Sequence, residues 1–484
     1  QHVSCSSDLA PFIKLLPRAE TTVVDAYLAP VISDYLQRVN SALAHSGVHV
    51  MTSAGGLVRA GTFNAKDSLL SGPAGGVVGA AFAGRQSGFD KIISFDMGGT
   101  STDVARYDGD FEYVFEYQVG DAHLVAPALA IESVAAGGGS ICSFDGARLR
   151  VGPESARAQP GPACYGAGGP LTLTDINLLL GRLDPDRFEI PINLSHAKLQ
   201  FQALCKKIKE KRRNHLEEEQ LLEGLLEIAN ERMADAIRRI SLRQGYDPKN
   251  YALVAFGGAG GQHACGVANR LGVETIIVPK DASLLSASGI GHAAIERFAE
   301  RQILQRLDEV QIHVPEWIKK LEKEAVKAVE SERVPTNSIE IRRTILNLRF
   351  VGQDSVLSVE YDEEVPPQQA FESKYSEIFG HQPEGRQVEL ESIRVIACSR
   401  AKQEVEAQQC LRSFEAEGEK FARAYFQGKW VKVPIYERSA LAPGAYLVGP
   451  ALVFEQHSAT VIDEGWKAEV DRAGALLLNF TPKD

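Results

Sequence analysis

The chain has 484 residues, more than one ordinary core holds, so two or three domains are expected. Its 44% hydrophobic and 24% charged content is that of a soluble protein, and the formal net charge of -11 excludes a nucleic-acid-binding surface, which needs a basic face. No apolar stretch is long enough to span a bilayer, so no membrane role is expected. The cysteines Cys5, Cys142, Cys164, Cys205, Cys265, Cys398 and Cys410 are scattered, odd in number and free of Cys-x-x-Cys pairs. That pattern fits a reducing compartment and a cytoplasmic location. The start Gln1-His2-Val3-Ser4 carries no initiator Met and no signal pattern, and reads as a piece beginning inside a longer protein.

In chain order, residues 22–45 predict a long helix with apolar positions at Val24, Leu28, Val31, Ile32, Leu36, Val39 and Leu43. Residues 48–51 predict a strand that ends in the turn Ser53-Ala54-Gly55-Gly56. Ser71-Gly72-Pro73 then opens an alanine- and glycine-rich helix to about Gln86, whose small residues predict close backbone packing.

Residues 91–95 predict a buried strand, 104–107 a second and 111–115 a third. Between the first two lies Asp96-Met97-Gly98-Gly99-Thr100-Ser101-Thr102-Asp103, with two carboxylates, two adjacent glycines and three consecutive hydroxyls. A P-loop joins strand to helix and ends in Gly-Lys-Ser/Thr; this run does neither. Paired glycines let a ligand approach the backbone and leave N–H groups facing phosphate oxygens, and hydroxyls add donors. Asp96, at a strand end, suits a divalent metal held directly or through water, and Asp103 a water or second metal contact. The other reading is a tight hairpin whose Asp and Thr cap its own backbone. The three hydroxyls and the closing Asp favour phosphate binding.

Residues 131–169 are dense in glycine and proline and predict an ordered loop system near a site. Thr174-Asp175 predicts the cap of a helix over 176–181. The basic run 206–213, followed by Glu217-Glu218-Glu219, reads as a solvated helix face. Residues 221–243 predict an amphipathic helix stopped by Gly245 and Asp247-Pro248. The strand 252–256, the loop Gly257-Gly258-Ala259-Gly260-Gly261, a helix through Leu271 and a strand at 274–278 form a βαβ unit. Its glycine-rich helix start suits a nucleotide. The dinucleotide fingerprint fails here, because its last glycine would fall on His263. As a lone histidine at a helix start, His263 favours a structural role over a nucleotide contact. Beyond residue 300 a polar helix over 316–333 precedes strand-like runs at 339–350, 355–361, 389–398, 430–436 and 451–455, interrupted by a helix at 368–379. This predicts a separate β-rich domain, with Glu455 and His457 on one strand face as an ordinary surface rather than a metal pair.

Together, the runs 71–79, 95–104, 132–140, 152–166, 174–183, 256–264 and 449–466 resemble the hydantoinase A/5-oxoprolinase family over nearly the whole chain. The resemblance implies an α/β fold: an actin-like, sugar-kinase-like and ribonuclease H-like ATPase core over residues 1–300 and a β-rich C-terminal domain over 301–484. It also implies that 95–104 is the second phosphate motif and 256–263 the adenosine motif. ATP and Mg2+ or another divalent cation would then be used by Asp96 as metal ligand, with Asp96 and Asp103 as the catalytic pair. Gly98, Gly99, Thr100, Ser101 and Thr102 would bind phosphates, and Gly257, Gly258, Gly260 and His263 would meet the nucleotide. The implied activity is ATP-dependent opening of a small cyclic amide, 5-oxoproline or a hydantoin, by phosphorylation of its carbonyl oxygen. The alternatives are a subunit of an acetone- or acetophenone-type carboxylase, a non-catalytic assembly subunit, or a sugar-kinase-like phosphotransferase. The implied partners are a hydantoinase B-type subunit or domain and an N-terminal domain carrying the first phosphate motif, which this sequence lacks; a homo-oligomer is a further expectation.

Overall fold

A computed structural model describes residues 2–43, 47–187, 190–211, 217–381, 385–400, 411–418 and 420–482. Arg212 and Arg213 of the basic run, Cys410 and the expected helix end at His45 lie outside the described residues. The chain forms two compact units, neither contiguous in sequence. One is built from Gln1–Ala74, Tyr113–Leu129 and Ala293–Glu404, the other from Gly75–Glu112, Ala130–His292 and Val405–Asp484. Among the described residues, no helix is long and apolar enough to cross a membrane.

The second unit carries a mixed nine-stranded sheet. At its centre Ala252–Phe256 lies parallel to both Lys91–Met97 and Thr275–Val278. All five residues of Ala252–Phe256 are buried, as a central strand covered on both faces requires. Thr102–Asp108 returns antiparallel to Lys91–Met97, and Ile131–Val134 completes that edge. The sequence expectation of strand, turn and strand around the glycine pair holds.

The C-terminal region does not keep to itself. Leu476–Phe480 pairs antiparallel with Thr275–Val278, and Trp466–Val470 and Ala445–Val448 extend the same sheet. An unpaired strand edge is costly, and this segment covers it. A second sheet of the unit holds Lys420–Phe426, Lys429–Glu437, Ala451–Glu455 and Ser458–Ile462. Its last strand packs against the Gly260–Leu271 helix at Gly261, where a Cβ would stand 2.8 Å from the Ala459 carbonyl oxygen. The compact units therefore cut across the residue-300 boundary.

In the first unit, Glu296–Arg306, Val388–Ser399, Ile339–Phe350 and Leu357–Glu360 form an antiparallel sheet. The Val314–Glu330 helix buries Ile318, Leu321, Ala325 and Val329, a helical spacing that matches one face. The long N-terminal helix departs from expectation. It runs Leu15–Ala42, and its buried residues are Thr21, Asp25 and Ala29, not the apolar positions the spacing suggested. The reason is polar anchoring: Thr21 Oγ1 accepts the Val125 N–H at 2.9 Å, and Asp25 Oδ1 accepts the Lys66 N–H at 2.9 Å.

Three local expectations also shift. The stretch expected as loop contains Ile131–Val134, Ser140–Phe144 and Leu149–Ser155 as strands. The next helix is Leu173–Leu179, capped by Thr172 with Asp175 at its third position, so the cap lies two residues earlier than Thr174. Glu455 ends its strand and His457 lies in the following turn, so they share no strand face. Glu455 accepts from the Asp281 N–H and from the Ser458 hydroxyl.

The glycine-rich Ser71–Gln86 helix meets Leu285–His292 at backbone distance. A Cβ on Gly289 would stand 1.9 Å from the Gly75 carbonyl oxygen and 2.6 Å from Gly79 N. Gly289→Ala is expected to lower stability by about 1–3 kcal/mol through this overpacking. Gly224→Ala, in the Glu218–Ile240 helix with nothing within 4 Å, should be neutral or stabilising by up to about 1 kcal/mol. Urea midpoints of the two variants check the pair; equal midpoints would overturn the packing argument.

Candidate functional site

The two glycine-rich motifs meet because their strands are neighbours. Phe256 is the register partner of Asp96, and Asp96 is in turn the partner of Asp103. Asp103 is the partner of Ser133 on the next strand. Three adjacent strand ends thus present Asp96, Asp103 and Ser133 side by side. Past Phe256 the chain turns at Gly257, whose φ of +79 favours glycine. A Cβ there would stand 2.5 Å from Asp96 Oδ1 and 2.5 Å from the Met97 carbonyl oxygen. The Ala259 N–H donates to that same Met97 oxygen at 3.0 Å, which locks the second loop to the first.

The turn between the strands is closed by the Gly98 N–H donating to the Ser101 carbonyl at 3.1 Å. Among the described residues, no acceptor takes the N–H groups of Gly99, Thr100 or Ser101, nor the hydroxyls of Thr100 and Ser101. Gly99 and Thr100 are exposed. Unclaimed N–H groups in a turn of this kind suit an anion. Thr102 differs from its neighbours: it is fully buried and donates to the Ala136 carbonyl at 2.5 Å, so it holds the scaffold.

A third loop backs the turn. Gly138 N–H donates to Gly98 O at 3.0 Å and Gly139 N–H to Gly99 O at 2.7 Å. A Cβ on Gly137 would stand 2.7 Å from Thr100 N. Thr174 ties this loop to the Leu173–Leu179 helix through two bonds of 2.9 Å to the Gly138 carbonyl, one from its N–H and one from its hydroxyl.

The electrostatics single out Asp96 and Asp103. Burial pushes the Asp96 carboxyl up from 3.8 to about 6; the Ser286 hydroxyl, donating at 3.1 Å, opposes this, and the Asp103 charge adds to it. Burial also raises Asp103, against the hydrogen bond from Ser133. No cationic side chain pairs with either carboxylate among the described residues. Two partly buried carboxylates with no counter-charge are a donor set that suits a hard divalent cation. No group of three or more His, Cys, Asp or Glu positioned for a metal occurs among the described residues. The site therefore fits Mg2+ held by one or two carboxylates, with the remaining ligands from phosphate and water, and not an all-protein cage.

His263 turns inward. It is 2% exposed, and its Nδ1 lies 2.7 Å from Asn230 Oδ1 while Asn177 Nδ2 lies 3.3 Å from its Nε2. Asn230 therefore takes the proton-bearing nitrogen and Asn177 donates to the other, which fixes a neutral ring. Burial, with Arg182 nearby, moves its pKa down to about 3. Of the sequence-predicted residues, Asp96, Gly98, Gly99, Thr100, Ser101, Asp103, Gly257, Gly258 and Gly260 lie along the joined loops. Thr102 and His263 lie beneath them. The sequence reading assigned no role to Ser286 or Ser133 at the carboxylates, nor to Asn177 and Asn230 around His263. Ser286 could not be found from spacing, since its helix comes 190 residues after Asp96.

The description Hydantoinase/oxoprolinase matches residues 18–298, and its C-terminal-domain counterpart matches residues 305–479. The chain belongs to the hydantoinase/oxoprolinase family. It is 36% identical to the 5-oxoprolinase of Saccharomyces cerevisiae over 95% of this chain and 38% of that protein. The chain thus spans about two fifths of the length of such curated relatives. Among solved structures, the crystal structure of ATP-dependent caprolactamase from Pseudomonas jessenii matches with a TM-score of 0.88 at 27% identity. It covers 99% of this chain and 72% of that one. A nucleotide-free structure of acetone carboxylase matches with a TM-score of 0.75 at 22% identity, over 98% of this chain and 71% of that one, which bears on fold alone. The fold is the α/β, actin-like ATPase type with a β-rich C-terminal region.

Because its pKa is raised on folding, Asp96 supports the folded state below its unfolded value of 3.8 and weakens it as pH rises through about 6. In metal-free buffer, Asp96→Asn is expected to stabilise the chain by on the order of 1–3 kcal/mol near pH 8, with the gain vanishing near pH 4. Thermal midpoints across that range measure it; a gain independent of pH would overturn the assignment of the charge.

Proposed function

We infer that this chain is the ATP-using component of an enzyme that opens a small cyclic amide, such as 5-oxoproline or a hydantoin. The observation that carries the reading is the set of unclaimed N–H and hydroxyl donors at residues 99–101 beside two carboxylates lacking counter-charges. Phosphates supply acceptors to the first group and a divalent cation neutralises the second. The names of the relatives point the same way: one is a 5-oxoprolinase and the other an ATP-dependent caprolactamase.

In this reading Gly99, Thr100 and Ser101 hold phosphate oxygens through backbone and side-chain donors. Gly98 shapes the turn that aims them. Asp96 holds a divalent cation directly or through its waters, and Asp103 orients a water or a second contact to that cation. Gly257, Gly258 and Gly260 give the nucleotide an approach to backbone, next to the start of the Gly260–Leu271 helix, whose dipole favours negative charge. ATP, when bound, would supply the phosphoryl group: transfer to the amide carbonyl oxygen would release ADP, one water adding at the carbonyl carbon with C–N cleavage would open the ring as an acyl phosphate, and a second water would release phosphate from it. The chain's task is then electrostatic: its donors at residues 99–101 and its two carboxylates would hold the transferring phosphoryl group and its cation in place. A hydantoinase B-type subunit or domain completes the hydrolysis, and a further phosphate-binding wall comes from an N-terminal domain of the same protein.

Phosphate release by the protein assembled with that partner tests the reading against 5-oxoproline, hydantoins and small ketones. Release dependent on a cyclic amide is expected, with Asp96→Asn lowering it by about 100-fold or more. Release driven only by ketones would assign the chain to a carboxylase, and near-normal turnover by Asp96→Asn would remove Asp96 from the chemistry.

A further inference from the structure

Behind the Gly98–Ser101 turn the main chain forms a ladder. Gly139 N–H donates to Gly99 O at 2.7 Å, and Ala156 N–H donates in turn to Gly139 O at 2.8 Å. The next residue is Arg157, whose backbone stands beside the turn. A Cβ on Gly139 would lie 2.8 Å from Gly99 O and 3.7 Å from Arg157 N. All of these residues belong to the second unit. From that position an arginine side chain is long enough to reach an anion seated on the donors of residues 99–101.

The backbone of Arg157 is held in an unfavourable state. Its φ is +54, in the left-handed region where a residue with a side chain is strained. The surroundings impose it. Ala156 is bonded to Gly139, the Arg157 N–H donates to the Ser155 hydroxyl at 3.1 Å, and that hydroxyl donates to Gly139 O at 3.3 Å. The strain therefore sits on the same Gly139 that backs the turn, and strain kept at such a place points to a use for the side chain.

That side chain is exposed, and its guanidinium has no acceptor among the described residues. Other arginines around these loops are engaged: Arg150 pairs with Asp145, Arg232 donates to Val151 O, and Arg239 pairs with Glu132. The turn itself offers only neutral donors, whereas ATP carrying one divalent cation keeps a net negative charge. A guanidinium adds a positive charge and a fork of N–H groups that matches phosphate oxygens.

We propose that Arg157 is the cationic residue of the phosphate site, its guanidinium binding oxygens of the terminal phosphate from the Gly139 side. The role rests on the ATP reading above.

Calorimetric titration of the full chain with tripolyphosphate and Mg2+, which presents the phosphates without the nucleoside, tests it. Arg157→Gly should weaken binding by about tenfold or more, and Arg157→Lys, which keeps the charge and loses the fork, by less. Glycine takes a φ of +54 without strain, so Arg157→Gly should also raise the thermal midpoint of the ligand-free chain by about 1–3 °C. Arg243→Ala removes an equal charge from the segment leading into the start of Ala252–Phe256, the strand end away from Asp96, and should leave the affinity unchanged. Ser101→Ala probes the turn itself and should weaken binding by about threefold or more. Weakening by Ser101→Ala without weakening by Arg157→Gly would overturn the role of Arg157 and leave the phosphate turn standing. Equal weakening by Arg243→Ala would reduce the effect to net charge and overturn it. A lower thermal midpoint in Arg157→Gly would make the residue a structural one, with the same result. No binding by the unsubstituted chain at millimolar concentration would overturn the phosphate turn and Arg157 with it.

Discussion

The parallel pairing of Ala252–Phe256 with Lys91–Met97 is the constraint from which the rest of the site follows. It sets Phe256 opposite Asp96, so the loops leaving both strands emerge together. One backbone hydrogen bond, Ala259 N–H to Met97 O, then joins them. A register slip of one residue would move Asp96 off the rim and bring its neighbours' side chains to the opposite face. Ala252–Phe256 is buried throughout and Lys91–Met97 everywhere but at Lys91 and Asp96, so a slip would drive a charged side chain into the core.

The close approach of the loops is a steric matter as much as an electrostatic one. Gly257 lies against Asp96, Gly137 against the backbone of Thr100, and Gly139 against Gly99. Each contact leaves no room for a side chain. Three backbone segments can therefore converge, and the partly buried carboxylates beside them receive no cation from the protein among the described residues. That arrangement destabilises the charged form of Asp96, as its raised pKa records. In the reading proposed above, a divalent cation would supply the missing countercharge.

Much of this was legible in the chain. The glycine pair, the three hydroxyls and the flanking strands gave the turn its character, and the strand-to-strand connection excluded a P-loop. The βαβ unit and its glycine-rich helix start were equally plain, because buried strands and a helix with caps leave clear punctuation. The long N-terminal helix was legible as a helix but not in its orientation, because Thr21 and Asp25 bury through hydrogen bonds that no hydrophobic pattern reports. The separate C-terminal domain was inferred from texture, whereas Leu476–Phe480 joins the central sheet by edge pairing, a long-range contact with no local signature. Ser286 and Ser133 stayed hidden for the same reason. Each acts through a partner far away in sequence, and a lone serine carries no pattern.

Beneath the loops, the buried amides explain why His263 is neutral and why the helix start is held where it is. Asn177 Nδ2 donates both to Gln262 Oε1 at 3.1 Å and toward His263 Nε2, while Asn177 Oδ1 is buried without a partner. Turning the amide over would give that oxygen no donor from either neighbour as they now stand, and it would strip both acceptors of theirs. The observed orientation leaves one acceptor unmet in place of three. Asn177 belongs to the helix whose Thr174 grips Gly138, and Gln262 and His263 belong to the helix that opens at Gly260. The amide thus joins the loop behind the Gly98–Ser101 turn to the start of the second glycine-rich motif. An apolar core at the same place would pack as well, but it would not fix the angular setting of that helix, which hydrogen bonds of defined direction do.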